Sequence, residues 1–314
     1  MSDLTRSTDR SYAPTDGLVL RFSTREAMKH AVLILGAMVV LLPFYVMVSY
    51  SLKAPAEIMQ QTGGFLGSQE PFRDDFCIKL GNAVEDCMVN PIVYNYTTAF
   101  EKAPLVRYLL NGVIVTVSIF LIQVIVALPC AYALAKLKFW GREAVFGLVL
   151  FCLLIPVHAI ALPLYIMLAK LGLTNSYAAL IIPWTISVFG IFLMRQFFMT
   201  VPDDLIDAAR MDGMSEYSIV WNVMLPTAIP ALMAFGIFSV VAHWNDYFWP
   251  RIVITGNRDL FTPPLGLREF KGDADGDNFG PMMATACIIV TPLIVAFLLA
   301  QRRFIEGITL SGMK

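Results

Sequence analysis

The chain has 314 residues, of which 57% are hydrophobic and only 15% charged, and its net charge is −1. Soluble domains carry about 25% charged residues to cover their surface; here the mean hydropathy is +0.67. These values exclude an ordinary soluble enzyme and a disordered or fibrous chain, and with no long basic run they also argue against a nucleic-acid partner.

A bilayer core about 30 Å thick is crossed by roughly 20 apolar helical residues. Six runs free of Asp, Glu, Lys and Arg reach that length: Ala31–Leu52, Tyr108–Ala135, Ala144–Ala169, Leu171–Met194, Tyr217–Asn245 and Asn278–Gln301. The expected class is therefore an all-α polytopic membrane protein with six transmembrane helices. Residues 1–30 form a polar N-terminal segment with an amphipathic lead-in from about Leu18. Residues 31–301 form the membrane domain, and 302–314 a tail. The first run ends in Ser51, Leu52 and Lys53 without a small-x-small cleavage site, so it reads as a retained span rather than a signal peptide. Only Lys170 separates runs three and four, which predicts a tight turn around Gly172, Thr174 and Asn175. Run five opens in a polar stretch, so its membrane part is expected to start near Leu225.

Lys and Arg set the orientation of such a bundle. Arg6, Arg10, Arg21, Arg25 and Lys29 precede the first span, Lys136, Lys138 and Arg142 lie between the second and third, and Arg302, Arg303 and Lys314 follow the sixth. The long segment 53–107 holds five basic residues diluted by seven acids. Both termini are therefore expected in the cytoplasm, with outer loops 53–107 and 246–277. The connection 195–226 carries two basic residues against five acids over Arg195–Glu216. Its cytoplasmic placement rests on the even number of spans.

Cys130, Cys152 and Cys287 fall in spans and read as small buried hydrophobes. Cys77 and Cys87 fall in the first outer loop, where an oxidising compartment favours a disulfide. No Gly-Lys dipeptide exists, so there is no phosphate-binding P-loop, and no His-Glu-x-x-His or Gly-x-Ser-x-Gly motif occurs. His158, mid-span after Pro156, reads either as lining a polar path or as a neutral group bonded to a neighbouring helix. His243 and Asp246 read as interfacial packing. No metal or catalytic constellation emerges. No Asp or Glu lies deep in a predicted span, which disfavours an ion-coupled carrier or channel, the alternative function for such a chain. A transporter without an ion site or a P-loop draws its energy from a separate ATPase.

The connection 195–226 is the informative stretch. Thr200 with Asp203 resembles a capping box, Pro202 is tolerated in a first turn, and Asp203 and Asp204 favour a helix start. Leu205, Ala208, Ala209 and Asp212 follow at spacings that place them on one helical face. Gly213 can end the helix in a left-handed turn, and Ser215 is an N-cap for the next helix. An acidic connector suits an anionic leaflet poorly, so a protein partner is the favoured neighbour.

Asp207-Ala208-Ala209-Arg210-Met211-Asp212-Gly213, followed by Val223-Met224-Leu225-Pro226, resembles the EAA loop of bacterial ABC importer permeases. The spacing matches throughout, with Asp207 in place of Glu and Val223 in place of Ile. Asn111-Gly112, Ala131-Tyr132-Ala133-Leu134-Ala135, the stretch Trp244–Pro250 and the tail Gln301–Gly307 resemble the carbohydrate-uptake branch, nearest the maltose-type six-span partner of a permease pair.

The resemblance implies a permease subunit of a binding-protein-dependent importer in the bacterial inner membrane. Its partners would be a second homologous permease, two ATP-binding subunits that hold the ATP and Mg, and a periplasmic solute-binding protein. The chain itself would carry no cofactor. Asp207, Ala208, Ala209, Asp212, Gly213, Leu225 and Pro226 would couple to the ATPases, and the tail residues Arg302, Arg303 and Phe304 would touch them. The loop 246–277 would reach toward the binding protein. Substrate contacts stay unassigned. The first outer loop is longer than usual for the family around Gly63–Pro91. A disulfide-tied cap over the binding protein and a tolerated insertion are both open readings.

Overall fold

The computed structural model describes residues 24–74, 77, 78, 83, 85, 87–270 and 279–311, side chains at 24, 300 and 302–311 excepted. Residues up to Val46 form one unit and those from Met47 another. Helix α1 (Thr24–Ser51) starts ahead of the apolar run that predicts it. The expected lead-in at 18–23 lies outside the described residues.

In the second unit, α2 (Pro55–Gln60), a short hairpin of β1 (Phe72–Arg73) and β2 (Met88–Val89), and α3 (Pro91–Lys102) build the connection between α1 and the next long helix. Asn90 caps α3, its side chain accepting from the Ile92 amide. On the same helix, buried Asn95 donates to the carbonyls of Ser51 and Lys53. Cys77 and Cys87 are bonded, with their Cα atoms 5.6 Å apart.

Helix α4 (Leu105–Lys136) is the axis on which the rest is arranged. It is mostly apolar, and its helical backbone pairs within itself in a bilayer except at Pro129, which has no amide to donate. Two long hydrophobic clusters gather at its ends. One joins Leu105, Tyr108 and Val115 to Leu168, Leu180, Trp249, Phe261 and Leu265. The other joins Leu128 and Tyr132 to Met194, Phe198, Ile206, Ile219 and Met224. Ala127, Leu134, Ile191 and Phe235 pack between them. At Gly112 another helix element comes so close that a Cβ would lie 2.6 Å from the Pro263 ring.

Four helical stretches are long and apolar enough to cross a membrane: Arg25–Ser51, Leu105–Lys136, Tyr177–Phe198 and Phe279–Leu299. The count reaches six when each of two bent pairs is taken as one span. In the first pair α5 (Arg142–Leu153) meets α6 (Val157–Lys170) at 98°. In the second, Glu216–Thr227 meets α12 (Ile229–Trp244) at 86°. The sequence reading expects one span in Ala144–Ala169 and a membrane part from about Leu225 in the fifth run, without foreseeing either bend. The bends fall where Pro156 caps α6 and Pro230 stands in the first turn of α12, since proline supplies no amide to carry a helix through.

In the fifth run a helical turn at Leu225–Thr227 precedes α12, which starts at Ile229. The stretch Tyr177–Phe198 is also interrupted: α7 (Tyr177–Ile181) passes through a 3-10 turn at Ile182–Trp184 before α8 (Val188–Phe198). The turn expected between runs three and four is present, with Gly172 at φ +67° and Asn175 at φ +55°. The last helix runs from Phe279 to Ser311; residues 271–278 before it lie outside the described residues.

Candidate functional site

Helix α9 (Asp203–Met211) lies between α8 and a second short helix, α10 (Glu216–Ile219). Pro202 stands at the N-cap with extended backbone, and Asp203 and Asp204 occupy the first turn. Carboxylates there complement the helix dipole. The capping box expected from Thr200 and Asp203 does not form. The Thr200 hydroxyl donates back to the Phe197 carbonyl. Asp203 is drawn instead to Lys136 Nζ at 2.6 Å, a stronger, charge-assisted partner.

The helix ends as Gly213 predicts. The Gly213 and Met214 amides donate to Arg210 and Ala209 carbonyls, and Gly213 adopts φ +79°. No atom lies within 4 Å of a Cβ built there, so backbone conformation alone demands glycine. Ser215 then caps α10 by accepting from the Ser218 amide. A π-helical turn over Val220–Met224 follows, then α11 (Leu225–Thr227). Single π turns recur at functional positions.

The face of α9 differs from the expected one. Ile206 and Ala209 turn inward onto the Tyr132–Phe198 cluster. Leu205, Ala208 and Asp212 stay exposed, and so does Met211 at 89%. Ala209 therefore supports the helix, and the outward surface is Leu205, Ala208, Met211 and Asp212. Leu225 is half-buried and Pro226 exposed.

Asp207 is engaged within the chain. Its carboxylate accepts from Arg210 Nη1 at 3.0 Å. Arg210 also reaches across the Gly213 turn to Glu216 at 2.8 Å, and Glu216 accepts in addition from the Tyr132 hydroxyl. Arg210, then Tyr132, hold the Glu216 carboxyl below the usual carboxylate range. Lys136 does the same to Asp203, and Glu216 raises the guanidinium of Arg210. Arg195, counted in the sequence as part of the loop, is buried: its Nε donates to the Leu134 carbonyl, and its guanidinium lies 3.6 Å from the Phe146 ring centre.

Sequence reading missed two groupings. Tyr132 meets Glu216, and Lys136 meets Asp203, only in space, and their separation along the chain hides both pairings. Deep along α4, Gln123 donates to the Trp184 carbonyl, accepts from Ser239, and lies 3.2 Å from His243. It meets a carbonyl of the 3-10 turn in α7–α8, where an unpaired group would be costly. His158 lies against the Phe248 ring, with centroids 4.4 Å apart. Among the described residues no group of three or more His, Cys, Asp or Glu side chains is placed to hold a metal ion. Side chains of Arg302, Arg303 and Phe304 lie outside the described ones.

Residues 123–309 match the family described as binding-protein-dependent transport system inner membrane component. The chain belongs to that family. It is thus an inner membrane component of a binding-protein-dependent transport system, and the family is one of transport components rather than enzymes.

Among the relatives of this inner membrane component is the arabinooligosaccharides transport system permease protein AraQ of Halalkalibacterium halodurans, 36% identical, covering 65% of this chain and 72% of the relative. Another is the sn-glycerol-3-phosphate transport system permease protein UgpE of Escherichia coli O6:H1, 30% identical, covering 89% and 94%. A bacterial ABC transporter that imports the acidic polysaccharide alginate shares the fold, with a TM-score of 0.70, 21% identity, and coverage of 90% of this chain and 99% of that one. The matched region of this inner membrane component contains the whole of 195–226.

Proposed function

We propose that this inner membrane component is a permease subunit of an ABC importer for a sugar or sugar derivative. With a second, homologous permease it forms the translocation path. Two cytoplasmic subunits that bind ATP and Mg drive the cycle, and a periplasmic binding protein delivers the solute. Both termini and the connection 195–226 face the cytoplasm. The relatives' names support the sugar class, and the Lys and Arg distribution supports the orientation.

One observation carries the coupling role. Helix α9 presents Leu205, Ala208 and Met211 outward although they are apolar, while the φ of Gly213 fixes its exit. An outward apolar patch on an otherwise supported helix fits a docking protein rather than water. Asp207, Asp212, Leu225 and Pro226 frame that patch, and Arg302, Arg303 and Phe304 of the tail are assigned a second contact to the ATPases. Cys77 and Cys87 hold the first outer loop on the periplasmic side, where their bond persists.

The test is uptake together with ATPase retention. Gly213→Val forces a β-branched residue into the left-handed region, at about 1–2 kcal/mol of strain or more. Asp207→Lys sets a cation beside Arg210. Both variants leave the spans intact. Both are expected to insert, to lose uptake and binding-protein-stimulated ATP hydrolysis, and to retain less ATPase on purification. Normal uptake by both would remove the coupling role from this loop.

A further inference from the structure

A coupling helix transmits force only if its orientation is fixed relative to the span it moves. Apolar contact does this poorly for α9, because hydrophobic attraction is non-directional and only Ile206 and Ala209 of this helix are buried. Its direction must come from polar contacts at both ends.

Both ends attach to one helix. At the N-terminal end, Asp203 meets Lys136 Nζ at 2.6 Å, and the same ammonium donates to the Val201 carbonyl at 2.5 Å. At the C-terminal end, Arg210 binds Asp207 one turn earlier and Glu216 beyond the Gly213 turn. Glu216 in turn accepts from the Tyr132 hydroxyl. Tyr132 and Lys136 are four residues apart on α4, so they occupy one face of its final turns. Tyr132 is 2% exposed, which fixes its ring in the Met194–Phe198 packing. Two attachments on one rigid face remove the pivot that a single attachment would leave.

The groups are suited to direction rather than bulk stability. The side chains of Arg210 and Glu216 are 39% and 45% exposed, and pairs so open to water add little to folding. Their geometry is nonetheless specific. The guanidinium contacts Asp207 and Glu216 through different nitrogens, and a fork of that kind sets an angle as well as a distance.

We propose that Tyr132, Glu216 and Arg210, with Lys136 and Asp203, form a two-point mount that makes α9 and α4 move as one body, Tyr132 and Glu216 being positioning residues for energy coupling. The proposal rests on the coupling role of 195–226 argued above.

The complete transporter, reconstituted with its ATPases and binding protein, tests it with Glu216→Gln and the near-isosteric Tyr132→Phe. Three quantities are measured: ATPase co-purification, stimulated hydrolysis, and solute taken up per ATP hydrolysed. Expected is normal ATPase retention with solute per ATP lowered about fivefold or more, the lower end of ordinary coupling energies between sites. Glu216→Asp should recover part of the ratio.

An unchanged ratio in both variants overturns the mount. So does a parallel fall of retention, hydrolysis and uptake with the ratio preserved, which marks a merely structural role. A loss confined to Glu216→Gln removes Tyr132 from the path and overturns the link to α4. Gly213→Val and Asp207→Lys run alongside separate the two readings. If these keep normal uptake, the coupling role itself fails. If they lose uptake while Glu216→Gln and Tyr132→Phe keep their ratio, only the mount fails.

Discussion

The two ends of helix α4 are fastened by different chemistry. At the Leu105 end the ties are neutral and buried. Asn111, 1% exposed, donates to the carbonyls of Asp259 and Phe261 and accepts from the Tyr177 hydroxyl. One residue on, Gly112 lets Pro263 and Trp244 approach the backbone. At the Lys136 end the ties are ionic and half open to water, through Asp203, Arg210 and Glu216. Buried neutral hydrogen bonds and close packing define a single arrangement, because every alternative leaves a desolvated group unpaired. Exposed ion pairs add little to stability, but a forked guanidinium still sets an angle. The Leu105 end of α4 is thus held by desolvation, and the Lys136 end by the direction of its charged contacts.

The contrast breaks most sharply at Gly112. A Cβ there would lie 2.6 Å from Pro263 Cγ and 3.2 Å from Trp244, and a proline ring cannot swing aside. Gly112→Val is expected to destabilise the fold by about 3 kcal/mol or more, the upper range for overpacking. Recovery of folded transporter after solubilisation measures it. A normal yield would mean that the Leu105 end yields as readily as the other.

Comparable in size is Asn111→Leu, which strands two carbonyls and the Tyr177 hydroxyl. Each buried group left unpaired costs about 1–3 kcal/mol. The expected outcome is a clearly lower melting temperature in detergent, with solute taken up per ATP unchanged in whatever protein survives. A lowered ratio at normal stability would place coupling at this end too.

Much of this arrangement is legible in the chain. Bilayer desolvation forces apolar runs of fixed length, so the four long apolar helices can be read directly. Gly213 and Ser215 are legible because a left-handed turn and an N-cap are local demands. The bends are not, since a run such as Ala144–Ala169 is apolar on every face and has no periodicity to break. Pro156 and Pro230 were the only signals, and prolines also occur inside the unbroken helices of Pro129 and Pro292. The outward face of α9 was misassigned at Ala209 because spacing fixes which residues share a face, not which face is covered. Asp203 read as half of a capping box because Lys136, its true partner, stands 67 residues earlier.

The smallest effect concerns that pair. Lys136 is nearly buried, with 8% of its side chain exposed, while Asp203 is 77% exposed. Lys136 lowers the Asp203 carboxyl from its ordinary value of 3.8. A carboxyl depressed in the fold contributes stability above its unfolded pKa and loses that contribution as pH falls through the folded one. Between pH 7 and pH 5, therefore, Asp203 stays ionised and melting temperatures of the permease and its Asp203→Asn variant should run parallel. Their small gap should close only below the ordinary carboxylate range, and earlier in high salt, because an exposed charge is screened. At the Leu105 end, Asn111→Leu should show neither dependence, since no ionisable group is lost there. A gap between the permease and Asp203→Asn that is absent, or that persists unchanged below the carboxylate range, would mean that the carboxyl is not held by Lys136. The ionic character assigned to this end of α4 would then rest on Arg210 and Glu216 alone.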